Sequence, residues 1–394
     1  MAPLPDPGEV LERVRREAQR SALRVRNGIR YVTQTAAVGQ SPRDMVWSRD
    51  KVQLWRYRSD AVTWKPPVLI VHSLVSRSYI FDLTPTDSFV GRLRDAGFDV
   101  YLVDWGVPDE VDAGNGLETY VDEYLPRAVR AACRVSGSEQ VSVLGYCLGA
   151  VLACLYAARH PELVRNMVAM ATPVNYAEMG LFVRLFRDGR LEPDDVLDDT
   201  GNVPPDVIYN AFWVLKPTGE LSNYAGLWQH LWNDDFVEGY QRMTQWIRDH
   251  IPFPGAAFRQ TVAMLARDNA LVEGTVRLGG RRVDLSAIRC PFLNVYGEKD
   301  NLVTPDAARP LIGLVGSDDR EELVIPGGHA AMATGRQAVK VTLPGVVDWL
   351  RRRSDAITPL DSPSRCEPGS DQPLGGQSGS GSEPPQQAPL RRKR

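Results

Sequence analysis

What most constrains this chain is an alternation of apolar strand-like runs with helical segments, punctuated by the pentapeptide Gly145-Tyr146-Cys147-Leu148-Gly149. The run PPVLIVHSLV has no polar alternation, as expected of a strand buried on both faces. TDSFVGRLRDAG then reads as helix ending at Gly97, FDVYLVDW as strand, and TYVDEYLPRAVRAACRVSG as helix. QVSVLGYC returns to strand, LGAVLACLYAARHPE to helix and LVRNMVAMATP to strand. This order predicts an α/β protein with a mostly parallel sheet and right-handed crossovers. The rhythm stops over residues 175–287, where aromatic residues such as Phe212, Trp213, Tyr224, Trp228, Trp232 and Phe236 accumulate in mainly helical or irregular sequence. That segment is read as an inserted cap. The sheet resumes with CPFLNVYGEKD, followed by a helix over TPDAARPLIGLV, the strand EELVIPGGH and a closing helix around VVDWLRRR.

The core is thus expected to comprise residues 41–174 and 288–353. Residues 1–40 form an N-terminal helical segment, in which Val10, Leu11, Val14, Ala18 and Leu23 stand among many charges and are expected to pack on the body. From Ser354 the last 41 residues hold five Gly, seven Pro and seven Ser and no aromatic residue, too little apolar area to offset ordering entropy, so a disordered tail is predicted over 354–394. Its basic end, Leu390 to Arg394, reads as solvated. Net charge is −3 from 46 basic and 49 acidic residues, which gives no overall field for nucleic acid or an anionic membrane. No run approaches 18 apolar residues, so no transmembrane segment is expected, and the start MAPLPDPGEV lacks the features of a signal peptide. A cytoplasmic protein is the expectation. The five cysteines are odd in number and lack close pairs, which speaks against a disulfide framework or a zinc site, and no metal is expected.

The pentapeptide lies between a strand and a helix and carries glycines two before and two after Cys147. That is the pattern of a nucleophile elbow, with Cys where hydrolases usually place Ser, and it predicts an α/β-hydrolase fold. Small residues are needed because the nucleophile sits on a tight turn against neighbouring backbone. A free Cys is ordinarily a small buried hydrophobe, but the flanking glycines argue for a reactive one. The helix start beneath Cys147 favours thiolate. The Leu148 N–H is aimed at a developing oxyanion, with a second donor expected at Val75, Leu74 being the neighbouring choice. In this fold an acid and a histidine follow, each past the C-terminal end of a strand. Asp300 after FLNVYGEK and His329 after ELVIPGG meet that order. Otherwise Asp300 would be a turn aspartate and His329 a loop histidine. His72 is read as shaping the oxyanion region or as structural, His160 as a helix-end residue, and His230 and His250 as cap histidines. Cys154 lies about 10 Å from Cys147 along one helix, beyond disulfide reach. Cys133 and Cys290 read as packing residues and Cys366 as an incidental thiol.

Cysteine also bears on the reaction. Moving an acyl group between thioesters is nearly neutral in free energy, so a cysteine enzyme can load from an acyl-CoA and keep the acyl group activated. A hydroxyl can then attack downhill to an ester if the site excludes water, which an aromatic cap would do. An acyl thioester such as an acyl-CoA is then the expected substrate, with no separate cofactor.

The stretches KVQLWRYRS, LIVHSLVSRSYIFDLTPTDSFV, GFDVYLVDWGVPD, VLGYCLGA, ATPVNY, FWVLKP, GYQRMTQWIRD, GGRRVDL, PFLNVYGEKDNLVTP and PGGH together resemble the poly(3-hydroxyalkanoate) synthases, in particular the short catalytic subunit of the two-component (class III) type. The resemblance covers roughly residues 45–352. It implies Cys147 as acyl-carrying nucleophile, His329 as base and Asp300 as the partner that assists the incoming hydroxyl. It further implies an (R)-3-hydroxyacyl-CoA substrate, CoA release, a polyester held in cytoplasmic granules, a homodimer and a separate activating subunit. The chain departs from the pattern at Ala150, where the family usually has a second glycine, and in its tail. Two other readings stand beside this one: a thioesterase or depolymerase on the same fold, and a non-catalytic granule-associated protein.

Overall fold

A computed structural model describes residues 7–59, 61–84, 88–214 and 227–357. Its centre is a nine-stranded sheet. The strands are β1 (Arg43–Arg49), β2 (Val52–Tyr57), β3 (Trp64–Val71), β4 (Phe98–Asp104), β5 (Val141–Tyr146), β6 (Val164–Met170), β7 (Phe292–Gly297), β8 (Arg320–Ile325) and β9 (Asp355–Ala356). The main order is β1-β2-β4-β3-β5-β6-β7-β8, parallel from β4 to β8, with β1 and β2 an antiparallel hairpin at one edge.

The apolar run that predicted β3 is explained by burial on both sides. Leu69 and Val71 join one core cluster and Val68 and Ile70 the other, so successive side chains all reach apolar surroundings. Helices α3 (Leu125–Ser136) and α4 (Leu148–Arg159) contribute to the first cluster, whereas α2 (Phe89–Asp95) and α6 (Leu343–Arg351) contribute Phe89 and Trp349 to the second. Ser88 caps α2 by accepting from the Gly91 N–H at 3.0 Å, and Gly97 follows with φ +95°, the left-handed stop its position predicted.

Residues 175–287 are mainly helical where described and include α5 (Asp234–Arg248). Ile208, Phe253 and Phe258 pack into the first core cluster. Tyr224 lies outside the described residues, as does the side chain of Trp213. The segment TPDAARPLIGLV is not one helix but two four-residue turns, Pro305–Ala308 and Leu311–Leu314, because Pro310 interrupts the hydrogen bonding.

Two expectations change at the ends. The body extends past Ser354: Asp355 and Ala356 pair antiparallel with Lys65 and Trp64, because backbone pairing at the start of β3 does not require apolar side chains. The remainder of the predicted tail, 358–394, lies outside the described residues. At the other end α1 (Pro7–Thr33) forms, but Leu11, Val14 and Ala18 are exposed rather than packed on the body. Its contacts come instead from its opposite face, where buried Asn27 donates to the Leu231 carbonyl and Asp234, both at 2.8 Å.

Candidate active site

Cys147 sits between β5 and α4 at φ 56° and ψ −130°, a conformation costly for any residue with a side chain. The turn holds because its neighbours leave room. A Cβ on Gly149 would lie closer than 3.0 Å to the carbonyl oxygens of His72 and Val71, and one on Gly145 would meet the Ala150 backbone. Ala150 itself is fully buried, and its extra methyl is accommodated beside Gly145. The Cys147 N–H donates to the Met170 carbonyl at 2.9 Å, tying the elbow to β6. Cys147 remains partly accessible.

The structure brings Asp300 and His329 to this elbow from beyond β7 and β8. His329 Nδ1 lies 2.7 Å from Asp300 Oδ2, and the ring also hydrogen-bonds Cys147. Asp300 is a turn aspartate as well: its Oδ1 accepts the Leu302 and Val303 N–H groups at 2.9 and 3.0 Å, which leaves Oδ2 aimed at the histidine. Burial by itself would lower the His329 pKa. The charges of Asp300 and Cys147, together with the hydrogen bonds the imidazolium donates to both, outweigh it and raise it to about 10.

Val75 and Leu148 line the same cavity as Cys147, while Leu74 is buried in the core. The Val75 carbonyl accepts from His250 Nδ1 at 2.9 Å and the Ile251 N–H at 3.4 Å, so cap residues pin the proposed donor's loop. Trp246 Nε1 donates to the Arg77 carbonyl at 3.0 Å, a second link between α5 and that loop. The cavity, about 170 Å³, is lined on the cap side by Phe212, Phe253 and Phe258. Its lining is almost wholly apolar, suited to an acyl chain and poor at holding water.

His72, His160, His230, His250, Cys133, Cys154 and Cys290 do not line this cavity. His160 ends α4 and lies over Tyr156, with ring centroids 4.8 Å apart. His230 stacks on Phe236, and His250 stands behind Phe212. Burial raises the Cys133 thiol pKa, pushes that of Cys290 up to about 12 and that of Cys154 higher still, which fits packing roles. Cys366 is outside the described residues. His72 is fully buried and its carbonyl accepts from Trp105 Nε1 at 2.9 Å. Burial pushes its imidazole down to about 4 against the pull of the Asp104 charge. The unfolded chain therefore takes up a proton near pH 6.5 that the folded one refuses until about pH 4. Stability should fall as pH drops through that window, by about 2–3 kcal/mol. His72→Phe should flatten the fall, read as the difference in urea midpoint between pH 7 and pH 4.5.

Sequence reasoning missed Tyr146. Its ring lies 5.1 Å from the His329 ring and its hydroxyl donates to the His329 carbonyl at 3.2 Å. Burial and the nearby Cys147 and Asp300 charges raise its pKa, which keeps that hydroxyl a donor. Adjacency to Cys147 was the only signal in the sequence, since the contact spans 183 positions.

A mostly parallel sheet carrying a nucleophile elbow, with an acid and a histidine delivered from later strands, defines a protein of α/β-hydrolase fold. The α/β hydrolase fold family matches residues 66–335, and a hydrolase structure from Pseudomonas aeruginosa aligns over 79% of this chain and 99% of its own at 15% identity and TM-score 0.51. The poly(3-hydroxyalkanoate) polymerase subunit PhaC of Allochromatium vinosum is 37% identical over 321 residues, 80% of this chain and 90% of that protein. The PhaC of Thiocystis violacea is 36% identical with the same coverage. The chain belongs to this PhaC family of polymerase subunits.

Proposed function

We propose that the chain polymerises (R)-3-hydroxyacyl groups from their CoA thioesters, through an acyl thioester on Cys147 and with release of CoA. The observation that carries this reading is a cysteine on a strained elbow, hydrogen-bonded to a histidine that an aspartate orients, opening on an apolar cavity beneath an aromatic cap.

In the first step the Cys147 sulfur attacks the thioester carbonyl and His329 holds the thiol proton. The Leu148 and Val75 N–H groups stabilise the oxyanion. The carbon–sulfur bond to CoA breaks, and His329 returns the proton to the leaving thiolate. In the second step the hydroxyl of an incoming 3-hydroxyacyl unit gives its proton to His329 and attacks the enzyme thioester. An ester bond forms and Cys147 is released as thiolate, which recovers the proton. Asp300 fixes the imidazole tautomer and stabilises its charged form in both steps. The apolar cavity favours attack by a tethered hydroxyl over water. We read the protein as acting at the surface of polyester granules, as a homodimer with a separate activating subunit.

The test supplies purified protein with 3-hydroxybutyryl-CoA and follows thiol release and the fate of the acyl group in one sample. Insoluble polyester formed in step with CoA supports the reading. Free 3-hydroxybutyrate as the sole product would replace it with a hydrolase.

A further inference from the structure

The exposed side of α1 carries a regular seam. Leu11, Val14, Ala18, Ala22, Val25, Ile29 and Val32 follow one another at spacings of three and four residues, and all seven are exposed. At 100° per residue they fall within an arc of about 80° and run about 32 Å along the helix. The opposite side is the one that touches the protein. Asn27 is buried against Leu231 and Asp234, Tyr31 packs against Tyr240 at 5.9 Å, and Arg20 lies over Trp232 at 4.6 Å. The helix is thus anchored by its back with its apolar seam facing solvent. Such seams are seldom left bare on a folded protein.

The composition of α1 indicates what covers it. It holds seven Arg and three Glu, a net charge of +4 on a chain of net charge −3. Four of the arginines are paired: Arg16 with Glu12, Arg24 with Glu17, Arg26 with Asp234 and Arg30 with Glu238. Arg13 and Arg15 have no ion-pair partner among the described residues, and Arg15 borders the seam. With Arg26 and Arg30 neutralised by Asp234 and Glu238 the anchored helix still carries a net +2, so a second copy would bring like charge against like, which opposes self-pairing. A lipid surface calls for a broad apolar face with aromatic anchors, whereas this stripe is narrow, aliphatic and interrupted by alanine. A narrow stripe at three-four spacing is the geometry of a coiled-coil seam, in which flanking charges choose the partner.

We infer that α1 is the docking surface for an acidic amphipathic helix of a different protein, with an aliphatic heptad stripe bordered by Asp or Glu. This inference does not depend on the proposed reaction. The probes are two synthetic 28-residue heptad peptides with identical aliphatic seams, one bordered by Glu and the other by Lys. They are titrated by fluorescence anisotropy against the full chain and against its Val14→Glu/Val25→Glu double variant. Because both substituted positions are exposed, the variant should keep the parent circular dichroism and melting temperature.

The Glu peptide should bind the parent chain at least about tenfold more tightly than either the Lys peptide or the variant–Glu pair, and weaken with added salt. Equal binding of both peptides, or no binding of the Glu peptide, would overturn the inference. So would co-sedimentation of the parent but not the variant with phosphatidylglycerol vesicles, which would assign the seam to a lipid surface. A dimer seen by sedimentation that the double variant dissolves would overturn it in favour of self-pairing.

Discussion

Cys147→Ala is expected to eliminate thiol release from 3-hydroxybutyryl-CoA, with a loss on the order of 10⁴-fold or more, while the protein remains folded. The size follows from the proposed chemistry: without sulfur no acyl-enzyme forms, and His329 and Asp300 have no nucleophile to serve. The intact fold follows from geometry. Alanine at φ 56° carries the same strain as cysteine, so the elbow should be no worse off. Cys147→Gly separates the two effects further. It should be equally inactive yet about 1 kcal/mol more stable, since glycine occupies this region without the steric cost. Both are checked by thiol release, by mass spectrometry of the acyl adduct and by urea denaturation. An alanine variant with near-parental turnover would remove Cys147 from the mechanism.

Gly149→Ala is expected to cost more than about 3 kcal/mol or to yield no soluble folded protein. The added methyl would press on the carbonyl oxygens of Val71, which pairs with both β4 and β5 at the end of β3, and of His72, the next residue. No side-chain rotation relieves that contact; either α4 must lift from β3 or the sheet must bend. Gly239→Ala in α5 is the control. Its added Cβ meets nothing within 4 Å, so the substitution should be neutral or stabilise the helix by up to about 1 kcal/mol. Denaturant midpoints of the two variants, compared with the parent, decide whether space or helix propensity governs the position.

Much of the sheet was legible because its signals are local. β3 to β7 are short, mainly apolar runs separated by helical periodicity or turn residues, and Gly97 and Gly137 mark helix ends where the chain turns left-handed. Asp300 and His329 were legible through their order after the elbow and their places beyond strands, which the structure places at β7 and β8. β1 was not read, because RDMVWSR alternates weakly at an exposed edge and takes its conformation from pairing with β2. The two turns around Pro310 show the opposite failure, in which helical composition suggested one element and a single missing N–H divided it.

By itself the sequence determined the α/β class, the elbow and the identity of the residues that meet there, since hydrophobic period and glycine spacing act over a few neighbours. Only the tertiary structure decided that Tyr146 clamps His329, that Asp300 divides its two oxygens between backbone and imidazole, and that His250 holds the loop of Val75. Apart from the bonds Asp300 makes within its own turn, those contacts join residues tens to hundreds of positions apart. The same holds for α1: its pattern announced an amphipathic helix, but which face meets the body depended on where Leu231 and Asp234 stand. Local sequence sets a side chain's direction along its own element, and the packing of distant elements sets what it meets.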